Sequence, residues 1–348
     1  MRDQLLRLSA RMPMAGAQIT VSRHGERLLE ASLGEAQPGV PMSNESALYL
    51  SCAGKPLLAV TLGSLVDAGR IRFEDKVCVH LPAFSAGGKG DVTVADVLSH
   101  AGGFRNPGPV SEDYTAFVEH VLALPLESGW VPGRDQGYHR DTGWYVIAAL
   151  VESLLRQDYR TALERRVCEP LALDATWASL RPETYAAVRD RLAVPTIAGD
   201  RGLRAFPYVA SRVGAQAKIP SYGYYGTTGN LASFYEAALA CLERDAPFPV
   251  SRRTLSAMTT PPRGRVHDLT LKYSCSMGLG FLCDLSGHYG FGDSWSPKSF
   301  GASGLVGQTY AGADPTTGVV VVASFGALMF DLTAMTALLE ELYAAAVY

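Results

Sequence analysis

The chain has 348 residues, of which 47% are hydrophobic, and its formal net charge is -3. This composition is sufficient for a large core, and the length alone allows two domains. The charge is close to neutral and no basic run occurs, which argues against nucleic-acid binding. No apolar stretch is long enough to span a bilayer, so we expect neither nucleic-acid nor membrane partners.

The first eight residues mix charged side chains with leucines, a pattern typical of an amphipathic helix and not of a secretory signal. Six cysteines are scattered along the chain, and neither a Cys-x-x-Cys pair nor a His-Glu-x-x-His motif occurs. We therefore expect reduced thiols, no metal site, no cofactor and a cytoplasmic location.

Hydrophobic periodicity predicts a hairpin at the start of the chain and three later strands. These strands are expected at residues 18–23, 27–32, 277–282, 308–311 and 318–323. Helical runs with Pro- and Gly-rich connections dominate from about residue 90 to 255, and a helix closes the chain at 332–343. No internal repeat occurs.

This order of elements predicts an α/β (α+β) architecture in which both ends of the chain share one antiparallel sheet covered by helices. The sheet domain would comprise residues 1–90 plus 256–348, and a mostly helical domain, residues 91–255, would be inserted between them. We expect a cleft where the two regions meet, because ligand sites often lie at such junctions.

A cysteine stands near the start of the first long helix, in the run Tyr49-Leu50-Ser51-Cys52-Ala53-Gly54-Lys55. Cys52 and Lys55 are three residues apart and would share one helical face. A thiol in the first turn of a helix faces the positive end of the helix dipole, and a nearby ammonium favours the thiolate. The pair predicts an activated nucleophile with a built-in base or proton shuttle. The alternative is that Cys52 is a small buried hydrophobe and Lys55 a solvated surface group.

The run resembles the Ser-x-x-Lys element of the penicillin-recognising, β-lactamase-like superfamily, which includes class C β-lactamases, D-alanyl-D-alanine peptidases, esterases and acyltransferases. Lys55 sets the register, so Cys52 occupies the position of the family's serine. Ser51, four residues before Lys55, would share its helical face too, but the family pattern places Ser51 in the small-residue position. The resemblance implies a β-lactamase/transpeptidase-like fold: an antiparallel sheet flanked by helices, with an inserted helical domain.

The similarity continues in residues 91–103, which resemble the family's "Thr-x-x-x-Leu-Leu-x-His-x-Ser-Gly" segment. His100 is attractive as a catalytic base, but the resemblance implies a structural role for it. Residues 220–234 resemble a Gly-rich turn followed by a family helix and contain three tyrosines. Tyr224 is predicted to form a pocket wall for an aromatic or extended acyl group; the alternative is a packed loop.

A second element of the family is similar to residues 132–144, where Tyr138 follows Gly133 by five residues. By this resemblance Tyr138 relays a proton between the nucleophile and the leaving group, with Lys55 lowering the pKa of its phenol. Ordinary packing of a tyrosine in a Gly-rich loop is the alternative. Arg140 replaces the usual asparagine and is expected either to clamp a substrate carboxylate or phosphate, or to form an ion pair with a neighbouring carboxylate, Asp141 or Glu152.

The third element should be Lys-Thr-Gly or His-x-Gly, and residues 300–308 are similar to it in their strand and glycine pattern. Ala302 occupies the cationic or imidazole position, which argues against β-lactams and peptidyl-D-alanine as substrates. Ser303, Gly304 and the strand backbone remain available to a substrate. In the family the oxyanion hole uses backbone N–H groups, which implies Cys52 and a residue near Leu305 in this chain.

We therefore predict an acyl-transfer enzyme that forms an acyl-Cys52 intermediate, most simply a transacylase using an ester or thioester donor, as in natural-product biosynthesis. Its partners would be a small-molecule acyl donor and acceptor, with a carrier-protein or coenzyme A thioester as one such donor. An esterase or amide hydrolase is the first alternative. A binding homologue without catalysis is the second, and an engineered replacement of serine by Cys52 also stays open.

Overall fold

The computed structural model describes residues 15–105, 108, 111, 113–199, 202–304, 308–328 and 333–347. The helix expected in the first eight residues lies outside these ranges. Within them, none of the helices is long and apolar enough to cross a membrane.

The strands of the described residues follow one another along the chain, with two short groups set apart from the main sheet. They are β1 (Gly16–Arg23), β2 (Glu26–Gln37), β3 (Val40–Pro41), β4 (Leu48–Tyr49), β5 (Thr176–Ala178), β6 (Thr196–Gly199), β7 (Gly202–Ala205), β8 (Tyr224–Gly226), β9 (Arg265–His267), β10 (Ser274–Met277), β11 (Leu282–Cys283), β12 (Phe300–Ser303), β13 (Thr309–Asp314), β14 (Val319–Phe325) and β15 (Ala327–Leu328).

The α-helices of the described residues include four of ten residues or more between β4 and the C-terminal helix. In chain order the helices are α1 (Lys55–Asp67), α2 (Val77–His80), α3 (Val94–Leu98), α4 (Tyr114–Ala123), α5 (Thr142–Leu155), α6 (Tyr159–Leu163), α7 (Pro182–Val188), α8 (Arg212–Gln216), α9 (Thr228–Arg244), α10 (Arg252–Thr259) and α11 (Thr333–Val347).

Nine strands form one antiparallel sheet in the order β3-β2-β1-β14-β13-β12-β11-β10-β9. The predicted hairpin is confirmed as β1 and β2, and β1 pairs with β14 so that Val21 lies opposite Val321. Both ends of the chain therefore contribute to one sheet, and the predicted fold class is confirmed.

Helices cover both faces of this sheet, which explains why β14 reads as an unbroken apolar run. Val320 and Val322 pack in the same core as Leu231 and Phe234 of α9. Val319 and Val321 point to the opposite face, where they share a core with residues of α11. Successive side chains of a strand alternate between faces, so a strand buried on both sides needs apolar residues at every position.

The single strand expected at residues 277–282 is wrong, because a turn divides it into β10 and β11. Gly280 has φ +89° within this turn, and a Cβ there would lie 2.2 Å from the Cβ of Ala59 in α1. The backbone N–H of Gly278 donates to the Phe281 carbonyl at 2.9 Å. A tight turn against a helix therefore replaces the continuous ladder that hydrophobicity alone suggested.

Two helices contact elements across the predicted domain division. Helix α9, from the predicted inserted region, packs on β1, β13 and β14, and α1, from the terminal region, packs on α5. The boundaries at residues 90 and 255 remain a prediction.

We expect Gly54→Ala to lower the free energy of unfolding by about 2 kcal/mol, the usual cost of overpacking a filled core. Gly54 ends the 3-10 turn Ser51–Gly54 that precedes α1, and a Cβ there would lie 2.2 Å from the Tyr224 ring. Denaturant unfolding checks this. Gly90→Ala is the matched control, since a Cβ at Gly90 has no neighbour within 4 Å. Equal stability of the two variants would contradict the packing described.

Candidate active site

The chain enters the site through a strained turn between β4 and α1. Ser51 has φ +52°, in the left-handed region that non-glycine residues rarely adopt. The 3-10 turn that follows is closed by a hydrogen bond from the Lys55 backbone N–H to the Cys52 carbonyl. Cys52 lines the main cavity, whereas Ser51 is buried behind it with its Oγ 3.9 Å from the Cys52 Sγ. The turn therefore presents Cys52, and not Ser51, to a ligand.

Lys55 lies one helical turn beyond Cys52 and is only 3% exposed. Its Nζ donates to the Tyr138 hydroxyl oxygen at 2.5 Å and to the Arg140 carbonyl at 2.9 Å. The Cys52 thiol lies close enough to influence the pKa of both Lys55 and Tyr138. The structure thus brings the three residues predicted to be catalytic together in one cluster at the cavity.

Burial shifts the two proton-exchanging groups beside the thiol in opposite directions. It lowers the pKa of Lys55 from its ordinary value, an effect that the nearby Cys52 and Asp141 oppose. It raises the pKa of Tyr138 well above its ordinary value, and Cys52 adds to this rise. The expectation that Lys55 leaves Tyr138 with a lowered pKa is therefore wrong, because burial and then the neighbouring Cys52 disfavour the phenolate. Lys55 is suited to accept a proton and Tyr138 to donate one.

Asp268 fixes the loop that carries Tyr138, a role that sequence reasoning missed. It is fully buried, and its Oδ1 accepts from the backbone N–H groups of Tyr138 at 3.0 Å, Thr270 at 2.9 Å and Leu271 at 2.8 Å. One carboxylate thereby joins the Tyr138 loop to the segment that forms the opposite cavity wall. The spacing to Tyr138, 130 residues, leaves no local signal of this contact in the sequence.

His100 packs beside Tyr138 and makes the contacts expected of a structural residue. Its Nδ1 accepts from the His139 backbone N–H at 3.1 Å, and its ring centroid lies 4.6 Å from that of Tyr138. Burial lowers the pKa of His100 well below its ordinary value. A neutral imidazole that already accepts a backbone hydrogen bond holds the Tyr138 loop in place.

Arg140 follows Tyr138 and forms an ion pair with Asp141, one of the alternatives that the sequence left open. Its Nε lies 2.6 Å from Asp141 Oδ2, and this carboxylate also accepts from Ser221 at 3.0 Å. Glu152 instead binds Lys218 at 2.6 Å. The Arg140 side chain is 59% exposed and lines the cavity, and the buried Asp141 carboxylate holds its guanidinium in place.

The end of β12 forms the wall beside Cys52. Ala302, Ser303 and Gly304 all line the cavity. A Cβ at Gly304 would lie 2.9 Å from the Leu50 carbonyl, so only glycine allows the strand to approach the start of the turn Ser51–Gly54 this closely. Leu305, the expected source of an oxyanion-hole N–H group, lies outside the described residues.

The cavity measures about 470 Å³, and its walls differ from those expected. Tyr224 is fully buried, and its hydroxyl donates to the Pro220 carbonyl at 2.6 Å. The expectation that Tyr224 forms a pocket wall is corrected: its ring packs against Gly54, at the end of the turn Ser51–Gly54. Besides His100 and Tyr138, the aromatic side chains that line the cavity are Trp144, Tyr273, Phe281, Tyr289 and Tyr310.

No group of three or more His, Cys, Asp or Glu side chains that would hold a metal ion occurs in the described ranges.

An antiparallel sheet with helices on both faces, and a cavity in which a cysteine at a helix start lies beside a lysine and a tyrosine, define a β-lactamase-like protein. The chain belongs to the Beta-lactamase family, whose family model matches residues 7–327. The family resemblance inferred from Cys52, Lys55 and Tyr138 is thereby confirmed.

Two curated relatives are esterases by name. The chain is 27% identical over 349 residues to Esterase/beta-lactamase LipL of Mycobacterium tuberculosis, covering 91% of this chain and 78% of that protein. It is 26% identical over 276 residues to Esterase EstB of Burkholderia gladioli, covering 68% of each. A solved structure titled "EstCE1, a hydrolase with promiscuous acyltransferase activity" superposes with a TM-score of 0.81 at 17% identity, covering 100% of this chain and 98% of that one, which shows the shared fold.

We expect Asp268→Ala to lower the free energy of unfolding by about 3 kcal/mol, because three backbone N–H groups lose a buried charged acceptor. Denaturant titration measures the change. Asp190→Ala is the control, since that carboxylate is 91% exposed. An effect of Asp268→Ala no larger than that of the control would contradict the anchoring role.

Proposed function

We propose that this protein is an acyl-transfer enzyme in which Cys52 forms a thioester with the acyl group of an ester or thioester donor. The observation that carries the proposal is the hydrogen bond from the buried Lys55 to the Tyr138 hydroxyl, with the Cys52 thiol close enough to influence the pKa of both groups. Burying a lysine is costly unless its amine is hydrogen-bonded, and here the amine donates to two oxygens. The alternative of a simple hydrophobic cysteine beside a solvated lysine does not fit this group.

The first half-reaction follows from the directions of the two pKa shifts. Lys55, as the neutral amine, takes the thiol proton while Sγ of Cys52 attacks the carbonyl carbon and a C–S bond forms. Tyr138, which stays protonated, donates its proton as the bond to the leaving alcohol or thiol breaks. The Lys55 ammonium then returns a proton to the phenolate. The products are the acyl-Cys52 thioester, the free leaving group and the restored pair.

The second half-reaction transfers the acyl group to an acceptor. Lys55 removes the acceptor's proton, the acceptor attacks the thioester carbon, and the bond to Sγ breaks with a proton returned to the thiolate. Because a thioester reacts more readily with amines than an oxygen ester does, we favour an amine or alcohol acceptor, and hence a transacylase. The donor would be a small molecule or a carrier-protein or coenzyme A thioester.

Hydrolysis is the second candidate, and the names of the two curated relatives favour it. Water would then replace the amine or alcohol in the second half-reaction.

We also propose a cytoplasmic location, which the six free cysteines of the described structure support.

Brief incubation with simple thioesters and activated esters should add one acyl group to the protein, and Cys52→Ala should abolish the adduct. Intact-protein mass spectrometry measures this, with Cys78→Ala as a control because Cys78 lies away from the cavity. Faster loss of the adduct with an added amine than in water identifies a transacylase; equal loss identifies a hydrolase. Full acylation of Cys52→Ala, or its loss in Ser51→Ala instead, would contradict the assignment of the nucleophile.

The acylation rate should rise with pH through a limb that lies below the ordinary lysine pKa of about 10.4, because burial lowers the pKa of Lys55 and so populates its neutral amine at lower pH. Lys55→Met should remove this limb and lower the acylation rate by about 10²- to 10⁴-fold, the usual contribution of a general base. Stopped-flow acylation measures both. Lys76→Met is the control, since Lys76 lies on the surface and pairs with Asp91. An unchanged profile in Lys55→Met would rule out Lys55 as the base.

A further inference from the structure

The cavity wall beyond Cys52, Lys55 and Tyr138 is largely aromatic. The rings of Trp144, Tyr273, Phe281, Tyr289 and Tyr310 line it. Trp144, Phe281 and Tyr310 are almost fully buried and keep fixed positions in the core. A ligand that enters past Cys52 therefore meets rigid ring faces and edges on several sides.

The three tyrosines of this wall differ in exposure. Tyr310 is 2% exposed, Tyr273 is half-buried, and Tyr289 is 64% exposed. Tyr273 packs beside the residue that precedes Tyr289, since its ring centroid lies 6.3 Å from that of His288. A Cβ at Gly290 would lie 2.3 Å from the Tyr310 hydroxyl, so the missing side chain at Gly290 leaves the space that this phenol occupies.

The charges around the cavity do not favour an ionised substrate group. No aspartate or glutamate is among the described lining residues, and the amine and guanidinium there belong to Lys55 and Arg140. Lys55 already donates to two oxygens, and Arg140 Nε is paired with Asp141. Ala302 supplies no cation from β12, so a carboxylate in the cavity could pair only with the remaining guanidinium nitrogens of Arg140. That side chain is 59% exposed, and ion pairs at exposed sites contribute little.

From these observations we infer that the substrate of this site is a neutral aromatic ester or thioester, whose ring lies against Tyr273, Tyr289 and Tyr310. The inference rests on the proposed function for the reacting bond, but the ring-binding wall is independent of it. Aromatic rings pack against one another in edge-to-face or offset geometry and gain more than their buried area alone supplies. The phenol groups of these tyrosines also offer hydrogen bonds to a hydroxyl on the ring.

The test compares ligands that differ only in the ring. In the first series the ring is varied in the acyl group, using the N-acetylcysteamine thioesters of phenylacetate, cyclohexylacetate and 4-carboxyphenylacetate. In the second series it is varied in the alcohol, using benzyl acetate and cyclohexylmethyl acetate. We expect kcat/KM for the phenyl compound to exceed that for its cyclohexyl match by about ten-fold in one of the two series, which also tells which group the tyrosines hold. The carboxylated thioester should be at least as poor as the cyclohexyl one.

The variants Tyr289→Ala and Tyr273→Ala should reduce the phenyl-to-cyclohexyl ratio to within about three-fold of unity, with the loss of one aromatic contact each. Tyr208→Ala is the matched control: Tyr208 is 42% exposed and does not line the cavity, so the ratio should not change. Equal ratios in the wild type, preference for the carboxylated thioester, or the same change in Tyr208→Ala would overturn the inference.

Binding of non-reacting amides separates this result from failure of the proposed function. Calorimetry on the wild-type chain should give N-methylphenylacetamide or N-benzylacetamide about ten-fold tighter binding than its cyclohexyl match. This preference needs no acyl-Cys52. Tighter phenyl binding without an acyl adduct would reject the proposed chemistry and keep the aromatic site, whereas equal binding of both pairs would reject the aromatic site whatever the turnover.

Discussion

The hydrogen bond between Lys55 and Tyr138 is the interaction on which the site depends. It joins a residue of the first long helix to a loop 83 residues later and lies beside the Cys52 thiol. Burial penalises the ammonium and the phenolate alike, so the pair is least costly as a neutral amine beside a neutral phenol. Much of the surrounding structure, including the Asp268 carboxylate, the His100 ring and the ion pair of Asp141, holds the two partners at this separation.

Backbone contacts fix the turn in which Cys52 stands where the family resemblance leads one to expect a hydroxyl residue. The turn that presents Cys52 is narrow: Gly54 is pressed against the Tyr224 ring, and Gly304 approaches the Leu50 carbonyl. These contacts involve the backbone of the turn and not the side-chain atom of residue 52. They therefore hold the turn in the same place whether that atom is sulfur or oxygen. What differs is the wall of β12, where Ala302 supplies no cation.

Much of the fold and the centre of the site could be predicted from the sequence, because their signals are local. The Cys52–Lys55 spacing, the hairpin around His24 and the apolar run of β14 each lie within a few residues. The rest depends on contacts between distant segments. Asp268 meets Tyr138 across 130 residues, and the tyrosines that line the cavity could not be told from buried ones such as Tyr224 by composition. The direction of the Tyr138 pKa shift likewise depends on burial, which no motif reports.

The pairing of β1 with β14 has a consequence for the order in which this protein is assembled during synthesis. Val21 and Val321 are neighbours in the sheet although 300 residues separate them. Such non-local pairs make folding slow, since the intervening chain must be brought together first. The segment of Cys52 is synthesised well before β12, whose end forms the cavity wall beside it. The cavity around Cys52 can therefore be completed only after β12 has been made.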